Sequence, residues 1–280
     1  MLGIGDDAAI LKPAANRHWV IATDTLVSGV HFKPDDPAST IGHKSLAVNF
    51  SDMAAMGAQP KWVLLNLTLP AVNESWIKAF VQGFSQLLNQ YDVQLIGGDT
   101  TRGPLSIGVT VLGDCEQPVR RDTASAGEAV VVSGQLGSAA FALHHPKADD
   151  ACLAQLHTPQ PRLELAASIK TMATAMIDVS DGLLADLGHI CEQSGVGATI
   201  ELERIPIKPV IQTSDDWITH VLAGGDDYQL CFTIKACDQH RLPADCQVIG
   251  RLTEDRGITV THHQKPIHTG LTGYQHFAHE

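Results

Sequence analysis

No G-x-x-x-x-G-K-[ST] string occurs in the 280 residues, so any nucleotide this chain handles must be held through carboxylates and bridging cations rather than by a lysine cradle. Cationic side chains are scarce as well. Nineteen Lys and Arg stand against 31 Asp and Glu, a net charge of −12, and no basic face is clustered enough to engage a nucleic-acid backbone. The six cysteines (Cys115, Cys152, Cys191, Cys231, Cys237 and Cys246) form no C-x-x-C pair, and they read as reduced, mostly buried thiols of a cytoplasmic protein. No signal peptide is visible, and no apolar run approaches the ~18 residues a membrane span requires. Without H-E-x-x-H spacing, the 14 histidines read as surface or loop side chains, with His144-His145 and His262-His263 in polar, loop-like sequence.

What is present suits a folded protein of two ordinary domains or one large one: hydrophobic residues make up 44% of the chain. Its acidity is lopsided, with 22 aspartates against 9 glutamates. Aspartate is the residue of caps, turns and divalent-cation sites, whereas glutamate fills solvated helix faces.

The stretch Leu95 to Gly103, LIGGDTTRG, joins a short apolar run, two glycines that permit close backbone approach, a hard oxygen donor in Asp99, two hydroxyls and the planar donor Arg102. It predicts a phosphate and metal loop at a strand end. The chain opens on Gly3-Ile4-Gly5-Asp6-Asp7, a loop leading into a strand. Trp19 to Ala22 predicts a strand ending at Thr23-Asp24-Thr25. A helix follows, capped by Ser39 or Thr40 and closed by Gly57, with Asn49, Ser51 and Asp52 in otherwise small, apolar surroundings where an unpaired carboxylate is costly to bury. Residues 61–69 alternate as a strand, 76–88 as an amphipathic helix and 105–112 as another strand. The polar, turn-rich stretch from Cys115 to Gly127, with Arg120 and Arg121, divides a first domain (residues 1–115) from a second (127–280). The second half has a strand near 129–132 and helices near 137–144 and 162–174. Asp178, Ser180 and Asp181 stand at a strand-to-helix junction, a second Gly-Gly-Asp lies at 224–226, and further strands follow. The pattern is α/β or α+β.

Seven acidic sites lie in Gly-, Ser-, Thr- or Ala-rich settings: Asp6/Asp7, Asp24, Asp52, Asp99, Asp178, Asp181 and Asp226/Asp227. Like charges at ~4 Å repel by roughly 4 kcal/mol at an effective dielectric of 20, so converging carboxylates call for cations. Hard oxygen donors with few Lys or Arg partners suit Mg²⁺, and several Mg²⁺ call for a polyphosphate. The chemistry this points to is Mg-ATP phosphoryl transfer.

The strings GIGDDAAIL, TDTLVSGVHF, SLAVNFSDMAAMGAQP, LIGGDTTRGPLS, IDVSDGLLADLGHI and AGGDDYQLCFT, in that order, resemble the thiamine-monophosphate kinase family, within the superfamily of aminoimidazole ribonucleotide synthetase and selenophosphate synthetase. The resemblance implies that superfamily's two-domain fold, with an amino-terminal mixed sheet used for homodimerisation and a carboxy-terminal α/β domain. It further implies ATP-dependent phosphorylation of thiamine monophosphate. Carried over by position, it makes Asp7, Thr23, Asp24, Asp52, Asp99, Asp178 and Asp181 Mg²⁺ ligands, with Asp52, Asp99 and Asp181 catalytic. Gly98, Asp99, Arg121 and Ser180 would lie against ATP, and His31, Asp226 and Tyr274 against thiamine phosphate. Two departures stand out. The family usually carries a longer segment, with a helix, ahead of GIGDD, and it has Glu where this chain has Asp226. The rival expectations are a non-catalytic Mg-nucleotide-binding regulator and another ATP-dependent member of the superfamily. A selenophosphate synthetase would want a reactive cysteine near the amino terminus, and the first here is Cys115.

Overall fold

The computed structural model describes residues 9–11, 16–145 and 148–274. The GIGDD string lies outside them. The chain divides into two compact units, the first comprising Met1–Pro118 with His157–Leu163 and the second Val119–Leu156 with Glu164–Glu280.

The first unit contains β1 (Ala9–Leu11), β2 (His18–Val27), α1 (Ala38–Ala55), β3 (Gln59–Leu69), α2 (Glu74–Gln90), β4 (Gln94–Arg102) and β5 (Ser106–Cys115). The strands form one sheet in the order β1-β2-β5-β3-β4, antiparallel except for the β3–β4 pair. Period-2 burial gives this sheet a core face: Val20, Ala22 and Leu26 of β2, Ile107, Val109 and Val111 of β5, and Val63, Leu67 and Leu69 of β3 are buried. α1 covers that face and α2 packs on α1. In α2 the buried Phe80, Phe84, Leu87 and Leu88 recur at helical spacing, and the Asn73 side chain caps the helix by accepting the Trp76 N–H. The helices cross backbone to backbone, since a Cβ added at Gly42 or Gly83 would fall 2.1 Å from the Phe80 carbonyl oxygen or 1.8 Å from that of Ser39.

Three expectations for this half are corrected. α1 follows Pro37 with no side-chain cap; the Thr40 hydroxyl instead donates to the Pro37 carbonyl at 2.8 Å. β2 does not end at Thr23 but runs to Val27, because its ladder with β5 continues to the Val27–Ser106 pair. The Gly-Gly-Asp-Thr-Thr-Arg stretch is strand rather than loop: β4 pairs in parallel with β3 from Trp62–Gln94 to Leu69–Arg102. The segment His157–Leu163 joins this unit from the other half of the sequence. Its Pro159 carbonyl lies 2.8 Å from His43 Nε2, and its Pro161 carbonyl accepts from the Tyr91 hydroxyl at 3.2 Å.

The second unit contains β6 (Ala129–Ser133), α3 (Ser138–His144), α4 (Asp150–His157), α5 (Leu163–Ile169), β7 (Ala173–Asp178), α6 (Leu183–Ser194), β8 (Gly197–Glu201), α7 (Trp217–Ala223), β9 (Leu230–Ile234), β10 (Cys246–Thr253), β11 (Gly257–His262) and β12 (Lys265–Ile267). Its sheet runs β12-β11-β8-β10-β6-β9-β7 and is mixed, with β8 and β11 parallel. Val130, Val132, Ile177, Leu187, Ile190, Ile200, Leu222 and Ile249 belong to its buried core. The helix expected over 162–174 stops at Ile169, where the chain turns into β7, and α4 is an addition to the expected elements. Of the histidine pair at 144–145, His144 is an exposed residue at the end of α3 and His145 follows it in extended backbone, and both rings pack on buried His220 of α7. Burial, and then the proximity of His144 and His145, holds the His220 pKa below its ordinary value. Cys115, Cys152, Cys191 and Cys231 are buried free thiols. Among the described residues, no helix is long and apolar enough to cross a membrane.

Candidate functional site

In the second unit four of the expected residues come together at one turn. β7 ends at buried Asp178, and Val179 to Gly182 lead into α6. The backbone of this turn is held on both sides. The Val179 N–H donates to the Gln229 carbonyl at 2.7 Å, while the Val179 and Ser180 carbonyls accept from the Tyr228 and Asp226 N–H groups at 2.8 and 2.9 Å. The Asp181 carbonyl accepts from the Tyr274 N–H at 3.0 Å. Ser180, Asp181, Asp226 and Tyr274, spread over ninety-odd positions of sequence, thus share one locus. Gly225 allows this approach: a Cβ there would lie 2.3 Å from the Ser180 carbonyl oxygen.

The strand-entry segment beside the turn is unusual in its backbone. Asp226 and Tyr228 are both non-glycine residues at positive φ, +66° and +48°. Such conformations persist where their surroundings over-determine them, and they cluster at ligand sites. The Tyr228 hydroxyl donates to Asp226 Oδ1 at 2.9 Å and so fixes that carboxylate. Tyr274 is half exposed, which leaves an aromatic face beside the turn.

Two further aspartates of this region bind backbone: Asp227, half of the expected Asp226/Asp227 site, and Asp186, which the sequence reading does not single out. Asp227, next to Asp226, points the other way and is fully buried, accepting the N–H of Gly137 at 2.6 Å and that of Ala139 at 3.4 Å. Asp186, in the first turn of α6, accepts the N–H groups of Ser180, Asp181 and Gly182 on one oxygen, Oδ2, each at 3.1 Å. The signal for it was present in the spacing: an aspartate four residues beyond a glycine that starts a helix can fold back on the turn.

In the first unit the expected residues are distributed by strand register. Asp24 pairs with Val109, and Val109 with Leu65, placing Asp24 on the face that α1 covers. Asp99 pairs with Asn66, which pairs with Gly108 and through it with Thr25, the adjacent row of the opposite face. Thr23 also takes that opposite face, and its hydroxyl donates to the Val109 carbonyl at 3.0 Å. Asp99 Oδ1 accepts the N–H of Thr100 at 2.8 Å. Asp52 is half-buried near the end of α1. Gly98 has φ of +145°, and a Cβ there would lie 1.8 Å from the Leu65 carbonyl oxygen, so its glycine is required by the β3–β4 pairing itself. His31 Nδ1 accepts the Val27 N–H at 3.0 Å, which puts its proton on Nε2. In the second unit, Arg121 lies in a short 3₁₀ turn tied by the Ser194 hydroxyl to the Arg121 carbonyl at 2.7 Å, while the neighbouring Arg120 pairs with Asp122. Asp7 lies outside the described residues.

Among the described residues, no three His, Cys, Asp or Glu side chains converge closely enough to hold a metal ion. The donors expected of a metal site are hard carboxylate and hydroxyl oxygens, the set that Mg²⁺ takes together with waters and substrate phosphates.

The chain matches two family descriptions in series: AIR synthase related protein, N-terminal domain, over residues 5–115 and AIR synthase related protein, C-terminal domain, over residues 125–263. It is 40% identical to the thiamine-monophosphate kinase of Salmonella typhimurium, the match covering 99% of this chain and 92% of that protein. The crystal structure of thiamine-monophosphate kinase from Stenotrophomonas maltophilia superimposes with a TM-score of 0.83 at 45% identity, covering 93% and 90% of the two chains. A structure described as AaThiL complexed with AMPPCP and TMP superimposes with a TM-score of 0.89 at 31% identity, covering 98% and 92%. With the family's strings in order along nearly its whole length and the fold matched across both units, this chain belongs to the thiamine-monophosphate kinase family.

Proposed function

We propose that this protein transfers the γ-phosphoryl group of ATP directly to the phosphate of thiamine monophosphate, giving thiamine diphosphate and ADP. The observation that carries this reading is the turn at 178–182, where Ser180 and Asp181 meet Asp226 and Tyr274 beside a segment with two positive-φ residues. It is supported by the family's name and by the neighbour bound to a nucleotide analogue and TMP.

In this reading Asp226, held by Tyr228, accepts a hydrogen bond from the aminopyrimidine, and Tyr274 is the wall against the thiamine rings. His31 offers an Nε2 donor to the substrate phosphate. Gly98, Asp99, Arg121 and Ser180 lie against ATP. Asp7, Thr23, Asp24, Asp52, Asp99, Asp178 and Asp181 are the residues that would hold Mg²⁺, and Asp52, Asp99 and Asp181 are the ones on which turnover depends most. Bound Mg²⁺ supplies neutralisation of charge on the phosphate oxygens. The protein's own contribution is placement of the attacking phosphate oxygen in line with the γ-phosphorus.

We assign the nucleotide and metal carboxylates chiefly to residues 1–115 and the α/β partner domain to 127–280. The half-exposed face of the first sheet, with Trp19 stacked on Trp62 at 5.1 Å and Leu112 between their strands, supports a homodimer formed through that sheet. Buried free thiols suit a cytoplasmic setting. The test is thiamine diphosphate formation with and without Mg²⁺, alongside thermal unfolding with Mg²⁺, a non-hydrolysable ATP analogue, or both. Product is expected only with Mg²⁺, and the joint melting shift should exceed the sum of the separate shifts. Joint binding without product would favour the regulator.

A further inference from the structure

Three consecutive backbone N–H groups at a helix start form a nest of the kind that elsewhere cradles a phosphate. At the start of α6 that nest is already filled from within, because Asp186 Oδ2 accepts all three N–H groups, of Ser180, Asp181 and Gly182, at 3.1 Å. Asp186 is 2% exposed. Its negative charge also lies in the first turn of the helix, where the macrodipole favours it.

We infer that Asp186 is a positioning residue, an internal anion that occupies this nest and fixes the turn so that the side chains of Ser180 and Asp181, rather than their amides, meet the ligand. The backbone contacts show why the grip matters. With the amides of 180–182 on Asp186, the carbonyls of Ser180 and Asp181 are aligned to accept from Asp226 and Tyr274. One carboxylate therefore sets the relation between the residues assigned to phosphate and metal and those assigned to thiamine. A phosphate cannot take these three amides while Asp186 holds them, which separates this helix start from a Walker-type cradle. The inference rests on the function proposed above for its kinetic readout, but not for its structural one.

The experiment uses the full chain with Asp186→Asn, which keeps shape and loses charge, and Asp186→Ala, which empties the nest. In the ligand-free protein, amide hydrogen exchange at Ser180, Asp181 and Gly182 is expected to quicken at least about tenfold in Asp186→Ala, with the β9 amides unchanged. Millimolar formate, a free carboxylate of matching size, should slow that exchange again in Asp186→Ala and do nothing in the wild type. In turnover, Asp186→Asn should raise KM for thiamine monophosphate about tenfold while the melting temperature stays near wild type. Unchanged exchange at 180–182 in both variants, or quickened exchange that formate leaves untouched, would overturn the role of Asp186. A wild-type protein without kinase activity would instead overturn the proposed function and leave the exchange result standing.

Discussion

Asp227 accepts the backbone N–H of Gly137 across 2.6 Å, joining residues 90 positions apart inside the second unit. Its neighbour Asp226 faces the turn at 178–182, so adjacent aspartates have opposite surroundings. Burial pushes the Asp227 pKa up to about 7, against the N–H groups of Gly137 and Ala139 that favour its anion.

That carboxyl makes stability depend on pH in a predictable direction. Its folded pKa lies above the ordinary 3.8, so the folded protein binds more protons between the two values and loses stability as pH rises from 3.8 through about 7. Asp227→Asn removes this titration. Compared with the variant, the wild type should lose about 2–4 kcal/mol between pH 4 and pH 8 in denaturant unfolding. Curves that run parallel across this range would refute the assignment.

Gly98→Ala should fail structurally before it fails functionally. The added Cβ would sit 1.8 Å from the Leu65 carbonyl oxygen at a φ of +145°, and loss of about 3 kcal/mol or more is expected. A soluble variant with wild-type melting and a selectively raised KM for ATP would show that the glycine serves the ligand instead.

Asp52→Asn and Asp99→Asn should each abolish turnover with little change in melting temperature, because each exchange keeps the shape of the side chain and removes the charge that the proposed Mg²⁺ requires. Steady-state rates across a Mg²⁺ titration, read beside thermal unfolding, check this. Near wild-type rates at limiting Mg²⁺ in either variant would contradict the multi-metal reading.

Asp226→Ala is expected to raise KM for thiamine monophosphate about tenfold or more and KM for ATP less than about threefold. Tyr228→Phe should give a weaker change of the same kind by releasing the Asp226 carboxylate. Asp226→Glu, the family's usual residue, should keep or improve thiamine-phosphate affinity. Equal weakening of both substrates would move Asp226 from the thiamine pocket to the metal ligands.

Much of this was legible in the sequence, for identifiable reasons. Period-2 alternation exposed the core face of β3 and β5, and helical spacing exposed α2, because those elements bury one side only. α1 is buried almost all round, so its pattern gave extent but not orientation. The strand character of Gly97 to Arg102 was hidden, since two glycines look like a turn until a parallel neighbour supplies the ladder. Likewise the meeting of Asp226 and Tyr274 at Ser180 and Asp181 depends on backbone hydrogen bonds that no side-chain pattern records. Asp186 went unassigned, and Asp227 was grouped with Asp226 as one acidic site, because a carboxylate that binds backbone amides looks, in sequence, like any other.

The loan of His157–Leu163 to the first unit bears on how the protein comes into being on the ribosome. The carbonyls of Pro159 and Pro161, which meet His43 and Tyr91, are synthesised well after the last strand of that unit. Its described strands and helices can be made and remain unfinished until residue 163 has cleared the exit tunnel, by which time β6, α3 and α4 of the other unit have also emerged. Maturation is therefore not strictly amino-terminus first. The opening half waits on the closing one, and a gene cut near residue 118 would yield a polypeptide missing one of its own surfaces.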